Sequence, residues 1–402
     1  MNNDKLIVYV AGPIDADHVY ECWQNGQEDQ SYFGARYLLE FYGACQDLSL
    51  KPHVIAPKRK AGYPEHSKYS HIEYWETNNT NYSGAMYHIN GCIMMLRIIA
   101  RAVKLGASAI VITRGRPYWF LMNLANILGI QVIPSVHCVL WPKFKSPSMV
   151  YQILFGMTAS FFKFGCSAIM VVSDDIAVQI KEVTQNKCRP TIKFFPIYSQ
   201  HLFEGVDEQQ DSNFKVLFVG RVEVNKGVFI LLEIARQILH EDNNTDIVFD
   251  ICGIGSALEE LKHKVQELGL EENFRCHGFC EKPKLREHYV NATVVIVPTT
   301  TDFIEGFNKV CAEAILAAKP VITSNVCPAV AEISSAAVVV PQNDTAAYKA
   351  AILELYSNQS LYAEKKASTY KVKEKFLESQ NGWGEKFKTV ILNYTNLVTD
   401  QV

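Results

Sequence analysis

Two carboxylates, Glu305 and Glu313, stand with seven residues between them on a stretch that turns from strand to helix. Val294, Val295, Ile296 and Val297 make an apolar run suited to a buried parallel strand, and residues 309–318 read as helix, with the carboxylates flanking the turn. Such turns are where open α/β sheets bind ligands. Gly306 lets the backbone pass close to a ligand, and the first helical amides, around Asn308, Lys309 and Val310, are unpaired donors aimed at an anion. A carboxylate does not bind phosphate, so Glu305 and Glu313 are assigned to hydroxyl groups. Hydroxyls on both sides of a phosphate describe a nucleotide-sugar.

Upstream, residues 216–219 read as a strand that ends in Gly220-Arg221, and Asn225-Lys226-Gly227 leads into a helix over 228–239. Arg221 offers a planar fork and Lys226 a point charge, which together suit a diphosphate whose negative charge grows as it leaves. Taken alone, the pair reads first as a solvated surface turn, and it is the elements that follow that reverse this reading. The run Asp250-Ile251-Cys252-Gly253-Ile254-Gly255 follows, then Phe274-Arg275-Cys276-His277-Gly278-Phe279, and then the Glu305 loop.

In this order the elements resemble the retaining GT-B glycosyltransferases of family 4, the group 1 glycosyl transferases. Their second domain carries a Glu, seven residues, Glu signature, here Glu305-Gly306-Phe307-Asn308-Lys309-Val310-Cys311-Ala312-Glu313, continued by Ala318-Lys319-Pro320-Val321-Ile322 and Glu332. The Gly-Arg…Lys-Gly element matches as well. Asn308 stands where the family most often has a second Gly, and it can still take left-handed geometry. The resemblance is strong over 214–335 and loose before 200. It implies an α/β chain of two Rossmann-like, doubly wound domains facing each other across a crevice. It also implies transfer of a glycosyl group from a nucleotide diphosphate sugar to a saccharide, lipid-linked or other hydroxyl acceptor, with retention, as in cell-surface polysaccharide or glycolipid synthesis. By the same resemblance Glu313 binds the ribose, Glu305 the transferred sugar, and Arg221 and Lys226 the diphosphate. Phe279 and Cys280 lie beside the base, and Gly220, Gly253, Gly306, Phe307, Asn308, Lys309 and Val310 line the donor site. An epimerase, hydrolase or phosphorylase of the same architecture, or a non-catalytic nucleotide-sugar-binding subunit, are the alternatives.

Length and composition agree. The 402 residues suit two domains of about 200, with 48% hydrophobic and 20% charged residues. The expected division is an N-terminal domain over 1–200, a polar linker over 201–213, a nucleotide-sugar domain over 214–380 and a terminal helix over 381–402 that returns to the first domain. No stretch is long and apolar enough to span a bilayer, and the N-terminal residues read as a first strand, so a cytoplasmic location is expected. Eleven scattered Cys suit reduced thiols.

The first half also alternates strand and helix. Strands are expected at 6–10, 51–56, 109–113, 132–137 and 168–173, and helices from Gly34, over 93–105, 119–128 and 149–162. Gly34 corresponds to the family's glycine loop near the donor phosphates. Residues 21–31 form a polar insertion flanked by Tyr20 and Tyr32 and containing Trp23, which is either an acceptor-entry element or a surface loop packed on its own rings. His137, at the tip of a parallel strand, is the first-domain candidate for the reaction centre, able to hydrogen-bond a sugar hydroxyl or the departing phosphate.

Two metal patterns are read as non-binding. Cys276-His277…Cys280 lacks a second ligand pair, and Asp15-Ala16-Asp17, though a DxD tripeptide, is made unnecessary by Arg221 and Lys226. No metal or other cofactor is expected beyond the donor itself. Residues 1–200 hold 19 Lys+Arg against 14 Asp+Glu, and 201–402 hold 20 against 28. No acid occurs from Thr77 to Ser173, a stretch holding Arg97, Arg101, Lys104, Arg114, Arg116, Lys143, Lys145 and Lys163. This basic stretch describes either ordinary buried sheet and helix or a face for an anionic acceptor or an anionic membrane surface at the inner membrane face. No nucleic-acid partner is expected.

Overall fold

The computed structural model describes residues 5–27, 36–57, 66–76, 82–114, 117–203 and 213–398. Gly34, Tyr32, Arg116 and most of the expected linker lie outside the described residues. The chain forms two compact units: Met1–Leu140, Pro147–Phe195 and Ser379–Val402 make the first, and Trp141–Ser146 with Pro196–Glu378 the second. The units therefore divide at Phe195/Pro196, a few residues before the linker read from polarity. The segment 141–146 goes with the second unit.

The first unit holds strands β1 (Leu6–Val10), β2 (Lys51–Pro57), β3 (Ile72–Trp75), β4 (Ala109–Ile112), β5 (Gln131–Val136), β6 (Ile169–Val171) and β7 (Thr191–Lys193). All pair in parallel, in the order β3-β2-β1-β4-β5-β6-β7. Its helices are α1 (Ala16–Gln24), α2 (Arg36–Asp47), α3 (Gly84–Leu105), α4 (Asn123–Ile127), α5 (Met149–Ser160) and α6 (Asp174–Thr184). The central strands are buried throughout, as β4 illustrates, which is why they read as unbroken apolar runs. The edge strands β3 and β7 escaped the sequence reading because they are short and only partly buried. The helix expected over 119–128 is shorter and later: Pro117 is followed by a tight 3-10 turn, Tyr118–Met122, and the α-helix begins only at Asn123.

The second unit repeats the plan with β8 (Phe214–Val219), β9 (Ile247–Cys252), β10 (Phe274–Gly278), β11 (Val294–Val297), β12 (Val321–Ser324) and β13 (Ala337–Val340), ordered β10-β9-β8-β11-β12-β13 and all parallel. Helices α7 (Val228–Arg236), α8 (Leu258–Glu267), α9 (Lys282–Asn291), α10 (Lys309–Leu316), α11 (Val330–Ile333), α12 (Thr345–Ser357) and α13 (Gln359–Val372) follow. In both sheets the strand order reverses beside the first strand, between β1 and β4 and between β8 and β11. Chains leaving adjacent strands in opposite directions at these points open a pocket over the strand ends.

The last helix, α14 (Trp383–Tyr394), belongs to the first unit. Trp383 is fully buried, stacks on Phe387 at 4.9 Å and meets Tyr9 edge-on at 5.6 Å. Its indole Nε1 donates to Ser135 Oγ at 2.8 Å, and the Gly384 amide donates to Glu40 Oε2 at 2.6 Å. Indole burial and a satisfied N–H make this residue an anchor. Trp383→Ala is expected to lower the stability of the first unit by about 3–5 kcal/mol, read from chemical denaturation followed by a first-unit probe. A loss under about 1 kcal/mol would show that α14 contributes little.

Candidate functional site

In the second unit the turns after β8, β9 and β11 are drawn together by backbone hydrogen bonds that continue beyond the strands. Gly220 N donates to Cys252 O at 3.0 Å, Val222 N to Ile254 O at 3.0 Å, and Thr300 N to Asn225 O at 3.0 Å. At Gly253 (φ +150°) a β-carbon would lie 1.7 Å from Gly220 O, and at Gly227 (φ +80°) 2.1 Å from Pro298 O. Only glycine allows backbones to approach so closely.

This approach places the cations of the β8 turn beside the Glu305 loop. Lys226 Nζ sits 2.7 Å from Glu305 Oε2, both side chains only 13% exposed. Asn308 Nδ2 donates to the same oxygen at 3.2 Å, and the Gly306 amide donates to Oε1 at 3.2 Å. The Phe303 ring lies under both cations, 3.7 Å from Lys226 Nζ and 5.4 Å from the Arg221 guanidinium carbon. Arg221 is exposed and turns to Glu223 at 2.8 Å. Asn308 takes the left-handed conformation (φ 66°) at the start of α10, where the family most often has glycine, and its side chain is engaged with Glu305 instead of capping the helix. The α10 amides at Lys309 and Val310 open into the same turn as the two cations, an arrangement suited to a diphosphate.

Glu313 departs from the simple reading. It does not end the loop but lies in the body of α10, 6% exposed. Tyr289 OH donates to its Oε2 at 2.8 Å and Tyr198 OH to its Oε1 at 3.3 Å. Burial pushes its pKa above the ordinary carboxylate value, opposed by the two tyrosine hydroxyls and by Lys309 and Lys282. Tyr198, Tyr289 and Phe303 were missed in the sequence. Helical spacing reads Tyr289 as core, and nothing local ties Tyr198 to a residue 115 positions away.

Phe279 and Cys280 lie between β10 and α9, Phe279 well exposed and Cys280 half-buried, its thiol facing Gly278 O at 3.7 Å. Phe307 is buried and packs on Phe376 at 5.8 Å, a core role instead of a lining one. On the first unit His137 stands just past β5, its Nε2 2.9 Å from Ser135 Oγ and its ring against Tyr37 at 4.8 Å and Phe194 at 5.3 Å. Trp383 of α14 donates to the same Ser135 Oγ, so the hydroxyl links α14 to the His137 ring. Tyr20 and Trp23 stack at 5.7 Å and contact Tyr42, so in the described part of that insertion the rings pack on their own unit.

The DxD carboxylates serve the protein. Asp15 caps α1 by accepting from the His18 amide at 3.1 Å, and buried Asp17 accepts from Ser67 Oγ at 2.6 Å and the Lys68 amide at 3.2 Å. Cys276 does not join a ligand group, but Cys280 and His277 do, in two trios completed by residues distant in sequence: Cys252–Cys280–His288 and Asp250–His277–His288.

Residues 203–372 match the family model described as glycosyl transferases group 1. D-inositol 3-phosphate glycosyltransferase 1 of Catenulispora acidiphila is 32% identical over 120 residues, 28% of this chain and 28% of that one. The 2-deoxystreptamine N-acetyl-D-glucosaminyltransferase of Niallia circulans is 23% identical over 206 residues, 48% of this chain and 51% of that one. The chain thus spans from about a quarter to about half the length of these curated relatives. Anabaena HepE, solved in complex with UDP, is similar at a TM-score of 0.65 and 13% identity, covering 96% of this chain and 98% of that one. That likeness shows the fold: the chain has the GT-B architecture of two Rossmann-like parallel-sheet domains, and its second domain carries the match to the group 1 glycosyl transferases.

Proposed function

We propose that the protein is a retaining glycosyltransferase of family 4 that moves a sugar from a nucleotide diphosphate sugar to a hydroxyl acceptor. The observation that carries this reading is the convergence of Arg221, Lys226, Glu305 and the α10 amides at the point where the second sheet reverses its strand order. The two cations and the helix amides take the diphosphate and stabilise its charge as the glycosyl bond breaks. Glu305, with Lys226 and Asn308 holding one oxygen and the Gly306 amide the other, is fixed to receive hydroxyls of the transferred sugar. Glu313, steadied by Tyr198 and Tyr289, takes the ribose. His137 hydrogen-bonds a hydroxyl or the departing phosphate. With protein cations on the leaving group, no divalent metal is needed there.

The first unit supports a membrane-side acceptor. Met86, Ile89, Ile93 and Leu96 on α3 and Met149, Val150, Ile153 and Met157 on α5 are exposed, as are Ile127, Leu128 and Phe164. Exposed apolar side chains at this density on α3 and α5 favour an interaction surface. It falls in the acid-free stretch, with Arg97 and Lys104 exposed on α3. No helix among the described residues is long and apolar enough to cross a membrane, so contact would be peripheral. Lys145 is not free for such a surface: it pairs with Asp302, and with Lys143 it lies on the second unit.

Arg221→Ala, Lys226→Ala and Glu305→Gln are each expected to cut transfer by at least about tenfold, or about 1.4 kcal/mol of transition-state stabilisation, without unfolding the protein. The first two also weaken binding of the bare nucleoside diphosphate, whereas Glu305→Gln does not, and added magnesium or manganese does not raise the rate. Initial rates with a panel of nucleotide-sugars, together with calorimetric titration of the nucleotide, check this. Near-normal turnover in Glu305→Gln, or free sugar in place of transfer product, refutes the reading.

Glu313 gives a second test with its own sign. Its folded-state pKa is raised, so its stability contribution is full below the unfolded carboxylate pKa and is lost as pH rises through the folded value. Glu313→Gln cannot ionise, and its melting temperature at pH 8 is therefore expected to equal or exceed that of the parent while nucleotide binding weakens. A variant that melts lower and binds equally well would leave Glu313 a purely structural residue.

For the acceptor side, the protein is expected to co-sediment with vesicles containing anionic lipid, to leave them as salt rises past about 0.1 M, and to ignore neutral vesicles. Arg97→Glu with Lys104→Glu weakens vesicle binding and leaves nucleotide binding unchanged. Equal behaviour on both vesicle types would return the acceptor to solution.

A further inference from the structure

Outside the diphosphate machinery, the ends of β9 and β10 and the helix α9 gather four ligand-type side chains, Asp250, Cys252, His277 and Cys280, around a fifth, His288. Cys252 Sγ, Cys280 Sγ and a His288 ring nitrogen all lie within 4.8 Å of one another, as do ligand atoms of Asp250, His277 and His288. Part of this cluster is explained without a ligand: His277 Nε2 and Asp250 Oδ1 are paired at 2.6 Å. The other part is not. His288 Nε2 is shut away from solvent with no hydrogen-bond partner among the described residues, its ring 4.3 Å from that of His277. Buried polar atoms without partners are rare and call for an explanation.

We propose that Cys252, Cys280 and His288 form a binding site for a soft or borderline transition metal, zinc in the first instance. Tetrahedral zinc with thiolate bonds near 2.3 Å and imidazole bonds near 2.0 Å holds its ligand atoms about 3.5–3.8 Å apart, so the observed grouping needs only small side-chain rotations to close. Two sulfurs and one imidazole select zinc or copper(I) over magnesium, calcium or manganese, which prefer oxygen. Water or a neighbouring side chain completes the fourth position, and the Asp250–His277 pair stands behind the site as a polar second layer. The pattern was hidden in the sequence because the contiguous Cys276-His277…Cys280 run names the wrong partner: Cys276 is not among the clustered residues, while Cys252 and His288 enter from a neighbouring strand and the following helix. A bound ion would tie the end of β9 to the loop bearing the exposed Phe279 and to α9, ordering the loop on which the donor's base is expected. The metal site itself does not depend on that functional reading.

The test uses the full chain, reduced and freed of metal, titrated with cobalt(II) and then zinc(II). One equivalent of cobalt is expected to give thiolate charge-transfer absorption and the intense visible bands of a four-coordinate site, which zinc removes. Zinc at about a hundredfold excess over its Kd is expected to raise the melting temperature by roughly 5 °C or more. Cys280→Ser and His288→Gln, both at half-buried positions, lose the cobalt bands and the zinc-induced shift, whereas Cys276→Ser keeps both. Melting of each metal-free variant reports that it is folded. Bands that survive in both Cys280→Ser and His288→Gln, only the weak bands of six-coordinate cobalt, or a Cys252–Cys280 disulfide that persists under reductant would overturn the proposal. Nucleotide binding and transfer are measured separately and decide the proposed function; the cobalt bands and the zinc-induced shift decide the metal site.

Discussion

The site in the second unit depends on backbone meeting backbone without side chains between. The turns after β8, β9 and β11 close on one another because Gly253 lies against Gly220 O and Gly227 against Pro298 O, where any β-carbon would overlap a carbonyl oxygen. Without these contacts the Lys226 turn would stand off from the Glu305 loop by at least the width of a methyl group. The 2.7 Å pair between Lys226 and Glu305 would then be lost. The Lys226–Glu305 pair is thus positioned by backbone atoms that carry no charge.

The same constraint explains how a cation and an anion can share an anion-binding site. An ion pair half removed from water gains from mutual attraction but leaves each partner less able to serve a third group. Here the attraction is split. Glu305 spreads its two oxygens over Lys226, Asn308 and the Gly306 amide, and Lys226 is also set on the face of Phe303. In the proposed role Lys226 would keep donor directions for phosphate oxygens, while Glu305 is already held in orientation by its three partners. Preorganisation of this kind means that little has to rearrange when charge develops on the leaving group.

The second unit was largely legible because its signals are local. The strand Val294–Val297 is entirely buried and parallel, so its four β-branched residues admit no other reading, and the glycines that follow β8 and β9 mark turns directly. The first unit was harder to read. A short edge strand such as Ile72–Trp75 buries only one residue fully, which leaves no periodic pattern to detect. The turn at Tyr118–Met122 is richly apolar and imitates a helix start, yet Pro117 and the packing of Trp119 against Phe162 at 5.4 Å hold it as a 3-10 turn. In the site, Arg221, Lys226 and Glu305 were readable because each sits within a few residues of a turn glycine. Tyr198 and Tyr289 were not, since a tyrosine that steadies a distant carboxylate has the same local pattern as one that fills a core.

The acidic partner of that tyrosine pair shows what burial adds to a motif. A Glu on an exposed turn is ionised and loosely oriented, so it can accept from many groups with little preference. Placed inside α10 with a tyrosine hydroxyl on each oxygen, Glu313 loses solvation and gains direction, and its proton is held to higher pH than in an open loop. In the proposed role such a carboxylate would discriminate by geometry: a hydroxyl pair would add to its remaining lone pairs, and a ligand lacking those hydroxyls would leave the cost of ionising a buried acid uncompensated. If Glu313 takes the ribose as proposed, selectivity for a sugar hydroxyl over a bare phosphate ester would follow from its desolvation.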